Sequence, residues 1–347
     1  MDKIRIGILG ASDIAYRRFL PALKKLDRFE FAGVAVTRAH ERGEAYDEAS
    51  YAPLLQEKIE KAQKYTDEFG GKVYVGYEDM LSSSEIDAVY IPLPPSLHFK
   101  WAKRAIMLGK HVLSEKPCTT NPSDTEALAA LAEEKQVVLN ENYAFCMHKQ
   151  VEVIRNLIDS GVIGEVRLIR SAFGFPYRNA SDFRYHAGLG GGALLDCGGY
   201  VLKVARLFMD ENVRITTAVL HHTDKHDVDI YGSAVLADRN FAEAQLAFGM
   251  DNSYKCELEI WGSKAHISAP RIFTPPADFR AQIVVKGQTE EIITVEPDDQ
   301  FMHAIEYFGA CIDYPMKRKE ALKDIVLQSQ LTEEIRIKNA MLRKETI

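Results

Sequence analysis

Apolar residues in the first part of the chain fall in short, nearly unbroken runs: Ile4 to Leu9, Phe29 to Val36, Ala88 to Ile91, His111 to Leu113 and Val137 to Leu139. Each run has the length of a strand, and the lack of polar alternation predicts strands covered on both faces. Between them the spacing becomes helical, near Ile14 to Leu26, Glu41 to Phe69, Leu97 to Leu108 and Ser123 to Glu134. Strands alternating with helices predict a doubly wound α/β domain around a parallel sheet, and we assign it residues 1–122. After about residue 150 the period changes. Val166 to Phe175 reads as a strand, and Tyr254, Cys256, Leu258 and Ile260 alternate with Lys255, Glu257 and Glu259, as in a sheet with one wet face. Residues 123–319 are therefore expected to form an α+β domain with an open, mainly antiparallel sheet. Helical stretches near Met302 to Asp313 and Glu320 to Met341 close the chain, and the helix at 320–341 is expected to pack back on the first domain.

A length of 347 residues suits two such domains, and 46% apolar with 10% aromatic residues excludes a disordered chain. The formal charge of −7 and the absence of a long basic block argue against nucleic acid as a partner. No stretch of about 18 apolar residues predicts a membrane span. The five cysteines, Cys118, Cys146, Cys197, Cys256 and Cys311, form no Cys-x-x-Cys pair, so neither zinc nor a disulfide framework is expected. With no signal-peptide core at the start, a cytoplasmic protein is expected. The segment Ala39 to Gly70 is longer than a usual crossover, and its charges, among them Glu41, Glu44, Asp47, Glu57, Lys58, Glu60 and Lys61, suggest a broken, solvated excursion at the surface.

Four places carry candidate chemistry. Gly7-Ile8-Leu9-Gly10-Ala11-Ser12-Asp13-Ile14-Ala15 stands where the first strand meets the first helix, where bare N–H groups at a helix N-terminus can receive a pyrophosphate. Only the first glycine of Gly-x-Gly-x-x-Gly is kept, Ser12 and Ala15 replacing the others. At the end of the second strand Thr37 and Arg38 replace the acid that would bind a ribose diol, which favours a 2′-phosphate and hence NADP over NAD. Later strand ends carry Leu93, Pro94 and His98, then Glu115, Lys116 and Pro117, and ligands of open α/β sheets bind at such ends. In the second half, Gly190-Gly191-Gly192 leads into Asp196 and Tyr200, whose spacing puts both on one helix face. When hydride moves between carbon and a cofactor, a proton must move to or from oxygen, and a phenol or ammonium can carry it. His221 and His222 form no ligand set with Glu or Cys, so no metal is expected.

Taken together, Gly10 to Ala15, His98, Glu115-Lys116-Pro117 and Gly190 to Tyr200 resemble the Gfo/Idh/MocA family of NAD(P)-dependent oxidoreductases over nearly the whole chain. Tyrosine four residues after Asp196 resembles the branch of glucose-fructose oxidoreductase, dimeric dihydrodiol dehydrogenase and the nucleotide-sugar 3-ketoreductases. Asp13 to Ala22 and Asp182-Phe183-Arg184-Tyr185-His186 are most similar to the 3-ketoreductases of deoxysugar synthesis. The resemblance implies NADP(H) as the preferred cofactor, with NAD(H) as a second. It implies Lys116 and Tyr200 as the catalytic pair, Asp196 orienting the sugar, and Arg184 at the cofactor. Glu141, Phe145, His148 and Gln150 lie in a segment resembling the family's substrate-facing link, with Lys149 where proline is usual. Arg17, Arg18, Arg184 and Lys203 are candidate cations for a nucleotide diphosphate. The resemblance further implies a homodimer or homotetramer formed through the open sheet face. The alternatives are an NADP-dependent aldose or dihydrodiol dehydrogenase, and a non-catalytic NADP-binding sensor, which has no chemical need of Lys116 and Tyr200.

Overall fold

A computed structural model describes residues 3–42, 48–210, 212–239 and 242–345. Among them, six parallel strands build the first sheet: β1 (Ile4–Leu9), β2 (Phe29–Val36), β3 (Lys72–Val75), β4 (Ala88–Ile91), β5 (His111–Glu115) and β6 (Leu139–Asn142). Their order, β3-β2-β1-β4-β5-β6, reverses direction between β1 and β4, and a doubly wound sheet opens its ligand crevice at that point, beyond the strands' carboxyl ends. The apolar runs become the central strands because both faces are covered. Leu9, Val89, Ile91, Val112 and Leu139 lie buried with Trp101 and Leu128 from the flanking helices. The edge strand β3 has no such run in Lys-Val-Tyr-Val, since an edge with one open flank does not demand one.

The second sheet contains eight strands among the described residues: β7 (Val166–Gly174), β8 (Arg214–His222), β9 (Asp229–Ala237), β10 (Glu243–Gly249), β11 (Lys255–Gly262), β12 (His266–Ala269), β13 (Ala281–Lys286) and β14 (Glu290–Val295). They run in the order β14-β13-β12-β11-β7-β10-β9-β8, with β7 and β10 parallel and the other neighbours antiparallel. Alternation sets the faces. Ile230, Ala234 and Leu236 of β9 point into the core, joined there by Val201 and Leu202 of the helix Gly199–Phe208, while Tyr231 and Ser233 are exposed.

The chain divides into two compact units, Met1–Thr119 with Ser123–Asn142 and Ala304–Val326, and Thr120–Pro122 with Tyr143–His303 and Leu327–Ile347. The first unit continues past residue 122 because β6 pairs with β5 and completes the parallel sheet. The closing helix Pro315–Glu345 is shared: Leu322 and Ile325 join the first core, Leu331 and Ile335 the second. The charged excursion also departs from expectation. It contains one continuous helix, Glu48–Phe69, that buries Tyr51, Ala62 and Tyr65, so it is more than a surface insertion. Glu44 and Asp47 lie outside the described residues.

Candidate active site

The turn after β1 meets the demands of a dinucleotide. Gly10 sits at φ +90°, and a Cβ there would lie 2.8 Å from Leu93 Cδ2 and 3.0 Å from the Tyr77 hydroxyl. Only glycine combines that backbone with that closeness. The Ser12 hydroxyl accepts the Ala15 N–H at 3.3 Å, which caps the incoming helix. Asp13 and Ile14 are its first helical residues, where N–H groups have no intrahelical acceptor and stay available to an anion. These features fit a bound dinucleotide. At the end of β2, Thr37 is buried with its hydroxyl 2.7 Å from that of Tyr51. The backbone N–H of Arg38 donates to Glu41 at 2.8 Å. Its guanidinium bonds the Val75 carbonyl at 3.0 Å and Asp79 at 2.6 Å. The cation expected to receive a 2′-phosphate therefore already faces a carboxylate, in an exposed pair of the kind worth about 0–1 kcal/mol.

Beyond β4 and β5 the geometry is tighter. His98 is fully buried, with Nε2 2.7 Å from the Leu93 carbonyl and Nδ1 2.8 Å from the Pro117 carbonyl, so one ring ties the loop holding Leu93 and Pro94 to the loop after Lys116. Burial lowers its pKa, while the two carbonyls pull the other way. The ring contacts protein on both nitrogens and is placed to hold the two loops. The Lys116–Pro117 peptide is cis. Glu115 accepts the Tyr90 hydroxyl at 2.6 Å and the Asn142 amide at 2.7 Å. Burial nonetheless raises its pKa, against the pull of those two bonds. Glu141 belongs to β6 and accepts the Cys118 N–H at 2.7 Å, which pins the same loop.

The second unit assembles a different set. Arg184 Nε donates to Asp196 at 2.7 Å and its Nη1 to Asp182 at 3.0 Å. Burial opposes its charge, but the two carboxylates outweigh it and hold its pKa above the ordinary value. Arg184 thus meets Asp196 directly. The glycine run answers to packing: a Cβ on Gly191 would come within 2.4 Å of the Arg184 carbonyl oxygen. One turn on, the ring of Tyr200 sits among four aromatics, with centroid distances of 5.0 Å to Phe173, 5.3 Å to Tyr143, 5.6 Å to Phe273 and 5.7 Å to Phe145. Such a cage fixes the ring while its edge stays partly exposed. Phe145 is one wall of it. His148 and Gln150 are buried elsewhere: Nδ1 of His148 accepts the Gln150 N–H at 3.1 Å at the start of the helix Lys149–Asp159, and the Gln150 amide donates to the Arg271 carbonyl at 3.3 Å.

Several pairings had no sequence motif to reveal them. Asp79 is brought to Arg38 by folding, Asp196 to Arg184 likewise, and Phe173 and Phe273 come from distant segments. Asn142 carried a signal, since Leu-Asn-Glu-Asn is too polar for a buried strand unless its side chains bond inward. Chemically, the first unit offers an anion-binding turn and a half-buried carboxyl whose pKa is raised. The second offers a phenol held in place beside a carboxylate paired with arginine.

Residues 4–143 match the oxidoreductase family with an NAD-binding Rossmann fold, and residues 151–268 match the GFO/IDH/MocA C-terminal domain. The dTDP-3,4-didehydro-2,6-dideoxy-alpha-D-glucose 3-reductase of Actinomadura kijaniata is 36% identical over 96% of this chain and 95% of its own length. The enzyme of the same name from Saccharopolyspora spinosa is 36% identical over 96% of both. The crystal structure of a 3-ketoreductase from Actinomadura kijaniata, in complex with NADP and TDP-benzene, superimposes with a TM-score of 0.88 at 36% identity, covering 97% of this chain and 98% of that one. A dinucleotide turn on a β3-β2-β1-β4-β5-β6 sheet and likeness along almost the entire length agree: the chain belongs to the Gfo/Idh/MocA family of dinucleotide-dependent oxidoreductases.

Proposed function

We propose that the protein uses NADPH to reduce the C3 keto group of a nucleotide-linked deoxysugar. The observation that carries this reading is the caged phenol of Tyr200, one turn after the Asp196–Arg184 pair, in a chain whose relatives act on dTDP-linked ketosugars. The cofactor, when bound, supplies hydride to the carbonyl carbon. Gly10, Ala11, Ser12, Asp13 and Ile14 would receive its pyrophosphate and Thr37 and Arg38 its adenosine end, with Leu93, Pro94, Glu115 and Arg184 as further residues that would hold it.

Tyr200 donates the proton to the ketone oxygen, and its aromatic neighbours hold the hydroxyl in one direction so that no reorganisation is required during reaction. Lys116 stabilises negative charge developing on that oxygen. Asp196, oriented by Arg184, accepts a hydrogen bond from a neighbouring sugar hydroxyl. Phe145 supports the ring of Tyr200, while Glu141 and His148 shape backbone close to the sugar.

The test is turnover of 3-keto nucleotide sugars with NADPH. Tyr200→Phe and Lys116→Ala are each expected to lower kcat about 10²–10³-fold while NADPH still binds. Turnover by either variant close to that of wild type removes the assigned roles. We also propose that two copies pair through the open face of the second sheet, where residues of modest size, Ala172, Ala247, Ser233 and Val219, lie in register across β7, β10, β9 and β8.

A further inference from the structure

The helix Glu48–Phe69 buries Tyr51, Ala62 and Tyr65, and steps of 11 and 14 residues place all three on one stripe. Two of the three are tyrosines whose hydroxyls end on the candidate dinucleotide site. The Tyr65 hydroxyl donates to the Ser12 carbonyl. The Tyr51 hydroxyl lies 2.7 Å from Thr37 Oγ1 and 3.1 Å from the Thr37 carbonyl. Lys61 pairs with Asp13 at 3.0 Å. From the other side Tyr16, in the first turns of the helical segment after Gly10, sets its ring 5.1 Å from that of Tyr65 and 5.8 Å from that of Phe69, and its hydroxyl bonds Glu68.

Ser12 occupies the place where the dinucleotide pattern has its second glycine, the residue over which backbone and pyrophosphate come together. In a trans peptide the carbonyl and the following N–H point in opposite directions. A bond that fixes the Ser12 carbonyl therefore also aims the Asp13 N–H. We infer that Tyr65 and Tyr51 are positioning residues of the cofactor site, Tyr65 bracing the pyrophosphate turn and Tyr51 bracing the end of β2. The helix Glu48–Phe69 thereby supports a turn that carries Ser12 in place of the pattern's second glycine. Burial keeps the pKa of Tyr65 high, with Asp13 and Tyr16 adding to it, so its hydroxyl stays a donor across the working range.

This inference rests on the dinucleotide reading of the turn, and the experiment separates the two. Wild type, Tyr65→Phe and Tyr51→Phe are titrated with NADPH, with ADP-ribose, which carries the pyrophosphate, and with 2′-AMP, which does not. Tyr65→Phe is expected to weaken NADPH and ADP-ribose about 3–10-fold, the worth of one hydrogen bond, while 2′-AMP binding and kcat at saturating NADPH stay unchanged. Tyr51→Phe is expected to weaken NADPH and 2′-AMP instead. Wild-type affinity for NADPH in Tyr65→Phe, or an equal loss of all three ligands in that variant, overturns the inference alone. Failure of wild type to bind NADPH overturns the dinucleotide reading itself and this inference with it.

Discussion

Arg38 pairs with Asp79 at 2.6 Å, and in the proposed reading its guanidinium receives a 2′-phosphate that the same carboxylate repels. Arg38→Ala is expected to lower NADPH affinity about tenfold with little effect on NADH, since a hydrogen bond to a charged group is worth about 1.5–3 kcal/mol before solvent screening. Asp79→Asn is expected to tighten NADPH about 2–5-fold, an effect that fades with salt. Paired titrations decide it, and shifts of both variants in the same direction would refute the arrangement. Arg38 is legible in the sequence because it follows the second strand at the position where a dinucleotide fold is expected to meet the adenosine ribose. Asp79 is not, since only the pairing of β2 with β3 brings it near.

His111 shows a titration with a clear sign. Its Nδ1 accepts the Val138 N–H at 3.0 Å, and burial, with Arg318 adding and Asp87 opposing, lowers its pKa to about 4. The unfolded chain, with its histidine near about 6.5, binds the proton first, so stability falls as pH drops from about 6.5 to 4 and levels off below. The loss is on the order of 3 kcal/mol. His111→Asn keeps an acceptor without a titrating ring and is expected to flatten that part of a denaturant-midpoint profile, leaving the slope due to His98, whose pKa is also lowered. An unchanged slope would exclude His111 as its source.

Among the elements, the helix Gly199–Phe208 carries Tyr200, the proposed proton donor, as its second residue. Its start is held from two sides. The Gln328 amide donates to the Gly199 carbonyl at 3.0 Å, and the Tyr143 hydroxyl lies where a Cβ on Gly199 would stand, 2.0 Å from it. Gly199→Ala is therefore expected to cost about 1–3 kcal/mol and to lower kcat by displacing the cage. Adding Tyr143→Phe removes the obstructing oxygen and should recover part of the loss in Tm, a coupling that a double-mutant cycle reads directly. Purely additive losses would show that the clash is relieved elsewhere. The glycines before it make this helix legible in the sequence, as apolar runs do the central strands, but the expected single α-helical face for Asp196 and Tyr200 is interrupted, since Asp196 falls in the π-helical turn Leu194–Gly198. Of the four rings around Tyr200, Phe145 is legible through its segment, whereas Tyr143, Phe173 and Phe273 are not, because aromatic residues in a core look alike in sequence. The helix Glu48–Phe69 was misread because its charges outnumber the tyrosines that anchor it.

For the molecule as a whole, the open face of the second sheet raises the question of assembly. Trp261 is 40% exposed and lies 4.5 Å under the Arg170 guanidinium, while Tyr231, 42% exposed, stacks on His221 at 4.4 Å. Between these aromatic ends Ala172, Ala247, Ser233 and Val219 form one row of small and medium side chains, flanked by the exposed Arg170–Gln245 pair and ended by Glu257, against which a facing sheet would pack at about 10 Å. Ala247→Glu places a charge at the middle of that row. On an isolated copy the side chain points to solvent and should change stability by less than about 0.5 kcal/mol. Across a paired face it would be buried without a partner, at a cost large enough to split the pair. Sedimentation at micromolar concentration is expected to show wild type as a dimer or tetramer and Ala247→Glu as a smaller species with its fold intact by circular dichroism. A wild-type monomer, or a variant that assembles as wild type does, would mean that this face stays open to solvent.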